Sequence, residues 1–131
     1  MSWRWVEHTG EMELRIEAAD EEEALADALA AFAELEGDDG GGEPRVRELE
    51  VSGADGAERI AAWLDELIFV AETEDFVPER IERIACEGEE IRAAVAGRTG
   101  RPAHLVKAVT HHRLEFSRDE GVVRARVVLD V

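Results

Sequence analysis

The sequence predicts an α+β fold: a two-layer sandwich of a mixed, mostly antiparallel sheet of six to eight strands with two helices. Apolar residues recur at helical spacing in only two segments, whereas the second half of the chain alternates apolar and polar residues between turns. The β segments of that half follow one another without an intervening helix, which is typical of α+β proteins. A length of 131 residues fits a single domain, 1–131.

The first part of the chain predicts two strands and a helix. Residues 11–18 alternate apolar and charged side chains, the pattern of a strand with one buried face. Trp3 to His8 is expected to form a preceding strand or extended arm. Asp20, followed three residues later by Glu23, has the pattern of a helix N-cap, and the apolar residues after it recur at helical spacing.

A glycine-rich segment separates the two predicted helices. Residues 37–44 hold glycines and three acids but no basic residue, so we expect a flexible surface loop and no phosphate site. Val46 to Ser52 predicts a strand. A second helix is predicted from about Asp55, with the clearest apolar stripe of the sequence running to Ala71.

The remainder of the chain predicts consecutive strands joined by short turns. Glu87-Gly88 and Asp119-Glu120-Gly121 have the composition of hairpin turns. The predicted strands around them cover Arg80 to Cys86, Glu90 to Ala96, Ala103 to Phe116 and Val122 to Val131.

The charge of the chain excludes several classes of function. Asp and Glu total 32 residues against 15 Lys and Arg, a formal net charge of −17. Such a chain repels phosphate backbones and anionic lipids, so we expect no direct nucleic-acid binding and no membrane binding. Only Lys107 is a lysine, and this acidic, arginine-rich composition is of the halophilic type, although a GC-rich genome would also favour arginine. Because salt screens self-repulsion, we predict a melting temperature that rises toward molar KCl.

The reactive residue types do not form a catalytic pattern. His111 and His112 are adjacent on a predicted strand, so their side chains should leave opposite faces and cannot share a metal. His8 and His104 are isolated, and the single cysteine, Cys86, excludes an internal disulfide and is expected to be a small buried side chain. We therefore predict no catalytic residue, and the charged N-terminus without a signal peptide favours a cytoplasmic protein.

Two carboxylates have a more specific setting than the others. Glu11 opens the first clear strand after the turn His8-Thr9-Gly10, and Asp130 is the penultimate residue of the last strand. If those strand ends meet, Glu11, Asp130 and the main chain of Val131 form a cluster of oxygen atoms, the ligand type of Ca²⁺, Mg²⁺ or Mn²⁺. The alternative is that both acids are ordinary solvated residues.

Four short motifs occur in a fixed order along the chain. They are Glu-His-Thr-Gly-Glu at 7–11, Thr-Glu-Asp-Phe at 73–76, Val-Lys-Ala-Val-Thr-His-His at 106–112 and Val-Leu-Asp-Val at 128–131. In this order they resemble the archease family, from about Trp5 to Val131. Archease is the small accessory protein of the RtcB-type tRNA-splicing ligase. The resemblance implies a non-catalytic activator that promotes guanylylation of the ligase and multiple turnover, and that meets tRNA only indirectly, through the ligase.

The resemblance also implies a divalent metal site, usually assigned to calcium. Its ligands would fall on Glu11, Asp130 and the main chain of Val131. The chain reads His-Thr-Gly-Glu where the family usually has His-Thr-Ala-Asp, so the ligand at Glu11 is one methylene longer. Calcium tolerates this better than magnesium, because its coordination is longer and more flexible. Calcium is therefore the expected metal, with magnesium and manganese as alternatives.

Lys107 lies inside the third motif and is a candidate contact to a partner or nucleotide. Its compact ammonium group can meet a phosphate or a ligase carboxylate at one point, which a planar guanidinium does not do. The alternative is a surface lysine without a role.

The competing interpretation of the whole chain is a general chaperone or modulator of nucleic-acid-processing proteins. A third interpretation, a metal-dependent hydrolase, is disfavoured because the sequence has no motif that supplies a nucleophile or a base.

Overall fold

A computed structural model describes residues 2–37 and 41–131 of the chain. Its elements are β1 (Ser2–His8), β2 (Glu11–Ala18), α1 (Glu21–Glu36), β3 (Pro44–Ser52), α2 (Gly56–Thr73), β4 (Phe76–Glu87), β5 (Glu90–Thr99), β6 (Ala108–Asp119) and β7 (Val122–Asp130). Two helices and seven strands confirm the predicted α+β class. The single-domain boundary 1–131 stays a prediction, and residues 38–40 of the predicted flexible loop 37–44 lie outside the described residues.

The strands are divided between two sheets, where the sequence predicted one mixed sheet. One sheet has the order β1-β2-β7-β6 and the other the order β3-β5-β4, and every neighbouring pair is antiparallel. The division arises because β3 pairs along its whole length with β5 rather than with a strand of the first sheet. Helix α1 contacts β2 and β4, and α2 contacts β6, β3 and β4, so the helices pack against both sheets.

Both helices begin with the same side-chain motif. The carboxylate of Asp20 accepts a hydrogen bond from the Glu23 N–H at 2.8 Å, which confirms the predicted N-cap. Asp55 caps α2 in the same way through the Glu58 N–H at 2.9 Å. Each cap satisfies one of the N–H groups that lack a partner inside the helix, and Gly37 caps the C-terminal end of α1 with a φ of 62°, which suits glycine.

The core lies between the helices and the inner faces of the sheets. Its largest fully buried side chains include Trp63, Phe32 and Phe76. The Trp63 indole N–H donates to the Leu25 carbonyl at 3.0 Å, which joins α2 to α1 through a satisfied polar contact. Cys86 packs against this core but is only half-buried, because it lies near the end of β4 rather than in its centre. No helix in the described part of the chain could span a membrane.

The strand predicted over Ala103 to Phe116 begins only at Ala108. The N–H groups of Ala103 and His104 donate to the carbonyls of Gly37 and Glu36 instead of to a neighbouring strand. The Val106 N–H points to the Glu36 carboxylate at 3.4 Å. Residues 103–107 are therefore held against the end of α1, and they form a connection that leads into β6. We call residues 103–107 the β6 entry loop.

Candidate functional site

The first candidate site lies where β2 begins and β7 ends. In the antiparallel register, Glu11 is directly opposite Asp130. Asp130 is also opposite Ala108, the first residue of β6. Directly opposite residues of an antiparallel pair place their side chains on the same face of the sheet. The structure therefore brings the two carboxylates together, although they lie 119 positions apart in the sequence.

Main-chain hydrogen bonds bring the β1–β2 turn, the C-terminal end of β7 and the β6 entry loop to the same end of the sheet. The Val131 N–H donates to the Gly10 carbonyl at 3.3 Å, and the Lys107 N–H donates to the Asp130 carbonyl at 2.9 Å. Gly10 has a φ of 73°, which suits glycine in the short turn between β1 and β2. Glu11, Asp130, Val131 and Lys107 therefore meet at one end of the sheet, which we call the β2–β7 edge.

The two carboxylates of the β2–β7 edge lack cationic partners. Within residues 2–37 and 41–131, neither Glu11 nor Asp130 forms an ion pair or a side-chain hydrogen bond, and both are half-buried. Lys107 is exposed and makes no ion pair with either of them in that part of the chain. Like charges directly opposite each other on neighbouring strands repel. A cation bound between them would relieve this repulsion.

The donor set of the β2–β7 edge consists of oxygen atoms alone. No group of three or more His, Cys, Asp or Glu side chains suited to a metal occurs among the described residues. The edge offers two side-chain carboxylates, from Glu11 and Asp130, together with the main chain of Val131. Hard oxygen donors of this kind fit Ca²⁺, which completes its shell of six to eight ligands with water.

A buried carboxylate lies next to this edge on the same face of the sheet. Glu13 is 0% exposed, and its oxygens contact His8 at 3.3 Å, Arg113 at 2.7 Å and the Arg15 guanidinium. Burial raises the pKa of Glu13, but hydrogen bonds from Arg15 and His8 and the charges of Arg15 and Arg113 outweigh it and hold the pKa below its ordinary value. Glu13 is thus ionised, and it holds the side chains of His8, Arg15 and Arg113 on the face of the sheet that carries Glu11.

Arg113 reaches Glu13 from an irregular segment of β6. Thr110 is opposite Val128 and Glu115 is opposite Arg126, so residues 111–114 bulge out of the ladder. Arg113 has a φ of 59°, and its carbonyl accepts a hydrogen bond from Arg126 Nε at 2.9 Å. We call residues 111–114 the β6 bulge. Its contacts with Glu13 and Arg126 fix it to the outer face of the sheet.

The β6 bulge changes the interpretation of the histidines. The sequence placed His111 and His112 on opposite faces of a regular strand, but both lie in the bulge, where that alternation no longer holds. Both are exposed, as is His104. His8 contacts Glu13 and Arg113, and His111 interacts electrostatically with Asp65 of α2. Sequence reasoning missed Glu13, since it alternates with apolar residues as the solvated acids of β2 do.

A second buried carboxyl holds the β6 entry loop. Glu36 is 1% exposed, and burial raises its pKa to about 7, partly offset by the hydrogen bond from the Val106 N–H. One of its oxygens, Oε1, is buried without a hydrogen-bond partner in the described structure. Because Val106 precedes Lys107, Glu36 helps to set where Lys107 enters the β2–β7 edge.

Known proteins are similar to this chain over nearly its whole length. The Archease protein family (MTH1598/TM1083) matches residues 3–131. The chain is similar to the protein archease of Methanopyrus kandleri, with 31% identity over 142 residues and 100% of each chain covered. It is also similar to the protein archease of Archaeoglobus fulgidus, with 30% identity over 138 residues and 100% of each chain covered.

Two solved structures share the fold. The solution structure of Methanobacterium thermoautotrophicum protein 1598 has a TM-score of 0.75 and 25% identity, with 98% of each chain covered. The crystal structure of an archease, described as a possible chaperone, from Thermotoga maritima has a TM-score of 0.73 and 25% identity, with 96% of this chain and 94% of that chain covered. The predicted resemblance is thereby confirmed, and the chain belongs to the archease family.

Proposed function

We propose that this protein is a non-catalytic activator of an RtcB-type tRNA-splicing ligase, and that it promotes guanylylation and multiple turnover of the ligase in tRNA splicing and RNA repair. The β2–β7 edge is the observation that supports this most directly. It joins residues from three of the four motifs on which the family resemblance rests, and they are distant in sequence.

The edge would bind a divalent metal, with calcium the expected ion. Glu11 and Asp130 would supply carboxylate oxygens, and the main chain of Val131 would supply a further oxygen. The bound ion would place positive charge at the edge and so could order it against a partner. The directly opposed carboxylates support this assignment, because they repel each other and neither forms an ion pair within residues 2–37 and 41–131.

The charge of the chain fits a basic partner. A ligase that binds tRNA and GTP needs a cationic cleft, and a protein of net charge −17 is attracted to such a cleft. Molar salt screens this attraction beyond about 3 Å, so in a saline cytoplasm the short-range contacts of the edge would decide docking. Lys107, exposed beside Asp130, would meet a nucleotide phosphate or a ligase carboxylate there. The tRNA would be contacted only through the ligase.

A general chaperone is the alternative, and it matches the description of the Thermotoga maritima structure. A protein that holds many unfolded partners needs a large exposed apolar surface. The exposed large apolar side chains of the described residues are Val46, Phe69, Leu105 and Val131, and they come from separate segments. This distribution favours a specific partner over a general one.

The deciding experiment measures self-guanylylation of the cognate ligase with GTP in molar KCl, with and without substoichiometric amounts of this protein. We expect a faster reaction and repeated turnover. Asp130→Ala should reduce the stimulation, whereas Asp119→Ala, an equal charge change in the β6–β7 hairpin, should not. Absence of stimulation by the unmodified protein would contradict the activator role and favour the chaperone.

Metal binding is tested separately by calorimetric titration of the metal-free protein with CaCl₂, MgCl₂ and MnCl₂. We expect one calcium site that is lost in Asp130→Asn and retained in Asp119→Asn. Equal calcium binding by both variants would contradict the assignment of the metal to the β2–β7 edge. Lys107→Arg, which keeps the charge but changes the donor geometry, should bind calcium normally and activate the ligase less.

A further inference from the structure

The outer face of the β1-β2-β7-β6 sheet carries a row of arginines. Arg4 is directly opposite Arg15, and Arg15 is directly opposite Arg126, so three guanidinium side chains lie in one row across three strands. We call these residues the arginine row. Together with Arg124, on the same face of β7, they line a surface groove of about 400 Å³, to which Glu17 and Glu115 also contribute. Four of the 15 basic residues of the chain therefore meet at this groove.

The acids of the chain neutralise the arginine row only in part. Arg15 pairs with Glu13 and Arg126 pairs with Glu115 at 2.8 Å. The Arg124 guanidinium is 4.0 Å from Glu17, the longest distance that still counts as an ion pair. Arg4 is exposed and forms no ion pair with any residue that the structure describes. Like charges directly opposite on neighbouring strands are destabilising, so this arrangement costs folding free energy.

The other sheet shows that the arrangement is not a general consequence of composition. Its arginines also lie on paired strands, but none is opposite another arginine in the described register. Arg47 is opposite Val95, Arg83 is opposite Ala94, and Arg92 is opposite Glu50 and Ala85. A chain with twice as many acids as bases thus places three arginines side by side in one sheet and separates them in the other.

We propose that the groove at the arginine row binds an oligophosphate. Guanidinium groups bind phosphate oxygens through paired N–H donors. The row crosses three strands about 4.8 Å apart and so spans about 10 Å, which is wide enough for several linked phosphate groups rather than one. The expectation that the chain repels nucleic acid rests on its net charge, whereas a small oligophosphate meets the local charge of the groove. This site is separate from the β2–β7 edge and does not depend on the proposed ligase.

The test is calorimetric titration of the metal-free protein with sodium tripolyphosphate at low salt. We expect a single site whose affinity falls as KCl is added. The double variant Arg4→Ala/Arg124→Ala should weaken binding at least tenfold. The matched control is Arg83→Ala/Arg92→Ala, which removes the same charge from exposed arginines of the other sheet. No binding, or equal weakening by both double variants, would overturn the proposal.

Two further titrations identify the source of the phosphate and exclude simple anion binding. GTP in place of tripolyphosphate tests whether a nucleotide is accepted, with binding expected at the same site and the same loss in Arg4→Ala/Arg124→Ala. Binding of GTP but not tripolyphosphate would overturn the assignment to the phosphate groups. Citrate, which carries a similar charge on carboxylates, should bind at least tenfold more weakly, and equal binding of citrate would overturn the preference for phosphate.

A stability measurement separates a binding role from a structural one. Arg4→Glu places a carboxylate directly opposite Arg15, so we expect it to keep or raise the melting temperature while it abolishes tripolyphosphate binding. A lower melting temperature would show that Arg4 has a structural role and would overturn the proposal. The outcome is independent of the ligase assay, because a protein that fails to stimulate the ligase can still bind tripolyphosphate.

Discussion

The two sheets of this protein differ in how they use charged residues. In the β3-β5-β4 sheet the described ion pairs are half-buried or exposed, as in Arg83 with Glu48 at 2.6 Å, where both side chains are exposed. The β1-β2-β7-β6 sheet instead has a buried carboxylate, Glu13, and its strand β6 is preceded by a loop held by another, Glu36. Among the described residues these are the only buried charged side chains. Composition alone therefore does not distinguish the sheet that carries the candidate site from the other one.

Both buried carboxyls act on β6. Glu36 holds the β6 entry loop through Val106, and Glu13 holds the β6 bulge through Arg113. Strand β6 cannot form a continuous ladder with β7, since residues 111–114 are excluded from the register. The contact of Glu36 with Val106 precedes the segment that contains Lys107 and Ala108, and the contact of Glu13 with Arg113 follows it. These side-chain contacts hold β6 where it has no ladder hydrogen bonds to β7. The first two predictions test these two contacts.

The largest expected effect is the pH dependence caused by Glu36. Its pKa is raised by burial from 4.5 to about 7, so the folded protein binds more protons than the unfolded chain between those values. Its contribution to stability is present below pH 4.5 and is lost as pH rises through about 7, a change on the order of 3 kcal/mol. Glu36→Gln, which cannot ionise, should remove this dependence.

Urea unfolding at pH 5, 6, 7 and 8 measures this effect. The difference in unfolding free energy between Glu36→Gln and the unmodified protein should shift in favour of the variant as pH rises. Glu34→Gln is the matched control, because Glu34 lies on the same helix with an exposed side chain. A difference that does not change with pH would show that the Glu36 carboxyl titrates normally.

The second effect is the loss of the Glu13 anchor. Glu13→Ala leaves Arg15 and Arg113 without their shared partner, and removal of one member of a buried pair is strongly destabilising. The arginines are 43% and 39% exposed and can be rehydrated, so we expect a cost of about 2 kcal/mol rather than the full value for a buried pair. Urea unfolding at pH 7 measures it.

The other sheet supplies the control for Glu13. Glu48→Ala removes an exposed acid from the middle of β3 and should change the unfolding free energy by less than about 0.5 kcal/mol. Equal costs for Glu13→Ala and Glu48→Ala would remove the contrast between the sheets. Below pH 4.5 the cost of Glu13→Ala should shrink, because the lowered pKa of Glu13 makes its contribution present above that pH and lost as Glu13 is protonated.

Local patterns predict much of this fold. The N-cap at Asp20, the start of α2 near Asp55 and the turns at Gly88 and Gly121 lie where the sequence predicted them, because these features depend on neighbouring residues. The division of the strands into two sheets was not predictable in this way. It depends on the pairing of β3 with β5, which is a contact between distant segments.

The same distinction between local patterns and distant contacts applies to the residues of the candidate site. Glu11 and Asp130 could be singled out because they occupy strand ends that an antiparallel pair can bring together. Glu13, Glu36 and the arginine row could not, since nothing in the local alternation distinguishes them from solvated residues. Their environment is set by the β6 bulge, the entry loop and the register of three strands.

The third effect concerns the acid pair at the β2–β7 edge. Its counterpart in the other sheet is Glu87 with Glu90, which are also directly opposite, but Glu90 contacts Arg92 at 3.5 Å. Glu11→Asp shortens the proposed ligand by one methylene. Magnesium requires short, regular octahedral bonds, so we expect its Kd to fall severalfold and that of calcium to change less. Calorimetric titration with both metals measures this change in selectivity.

Glu90→Asp is the control for this change of length. It makes the same substitution in the acid pair that has an arginine partner, and it should leave the Kd of both metals unaltered. If Glu90→Asp shifted metal affinity as Glu11→Asp does, the metal would not be specific to the β2–β7 edge.

The smallest expected effect is the coupling between Arg83 and Glu48. Their side chains lie 2.6 Å apart, yet they are 69% and 72% exposed, so solvent screens the attraction and both side chains lose mobility when they pair. A double-mutant cycle with Arg83→Ala and Glu48→Ala should give a coupling free energy below about 0.5 kcal/mol, and lower still in molar KCl. A coupling as large as that between Glu13 and Arg113, measured by the same cycle, would show that exposure does not govern the value of an ion pair here. The contrast between the sheets would then have to rest on the geometry of the β6 bulge alone.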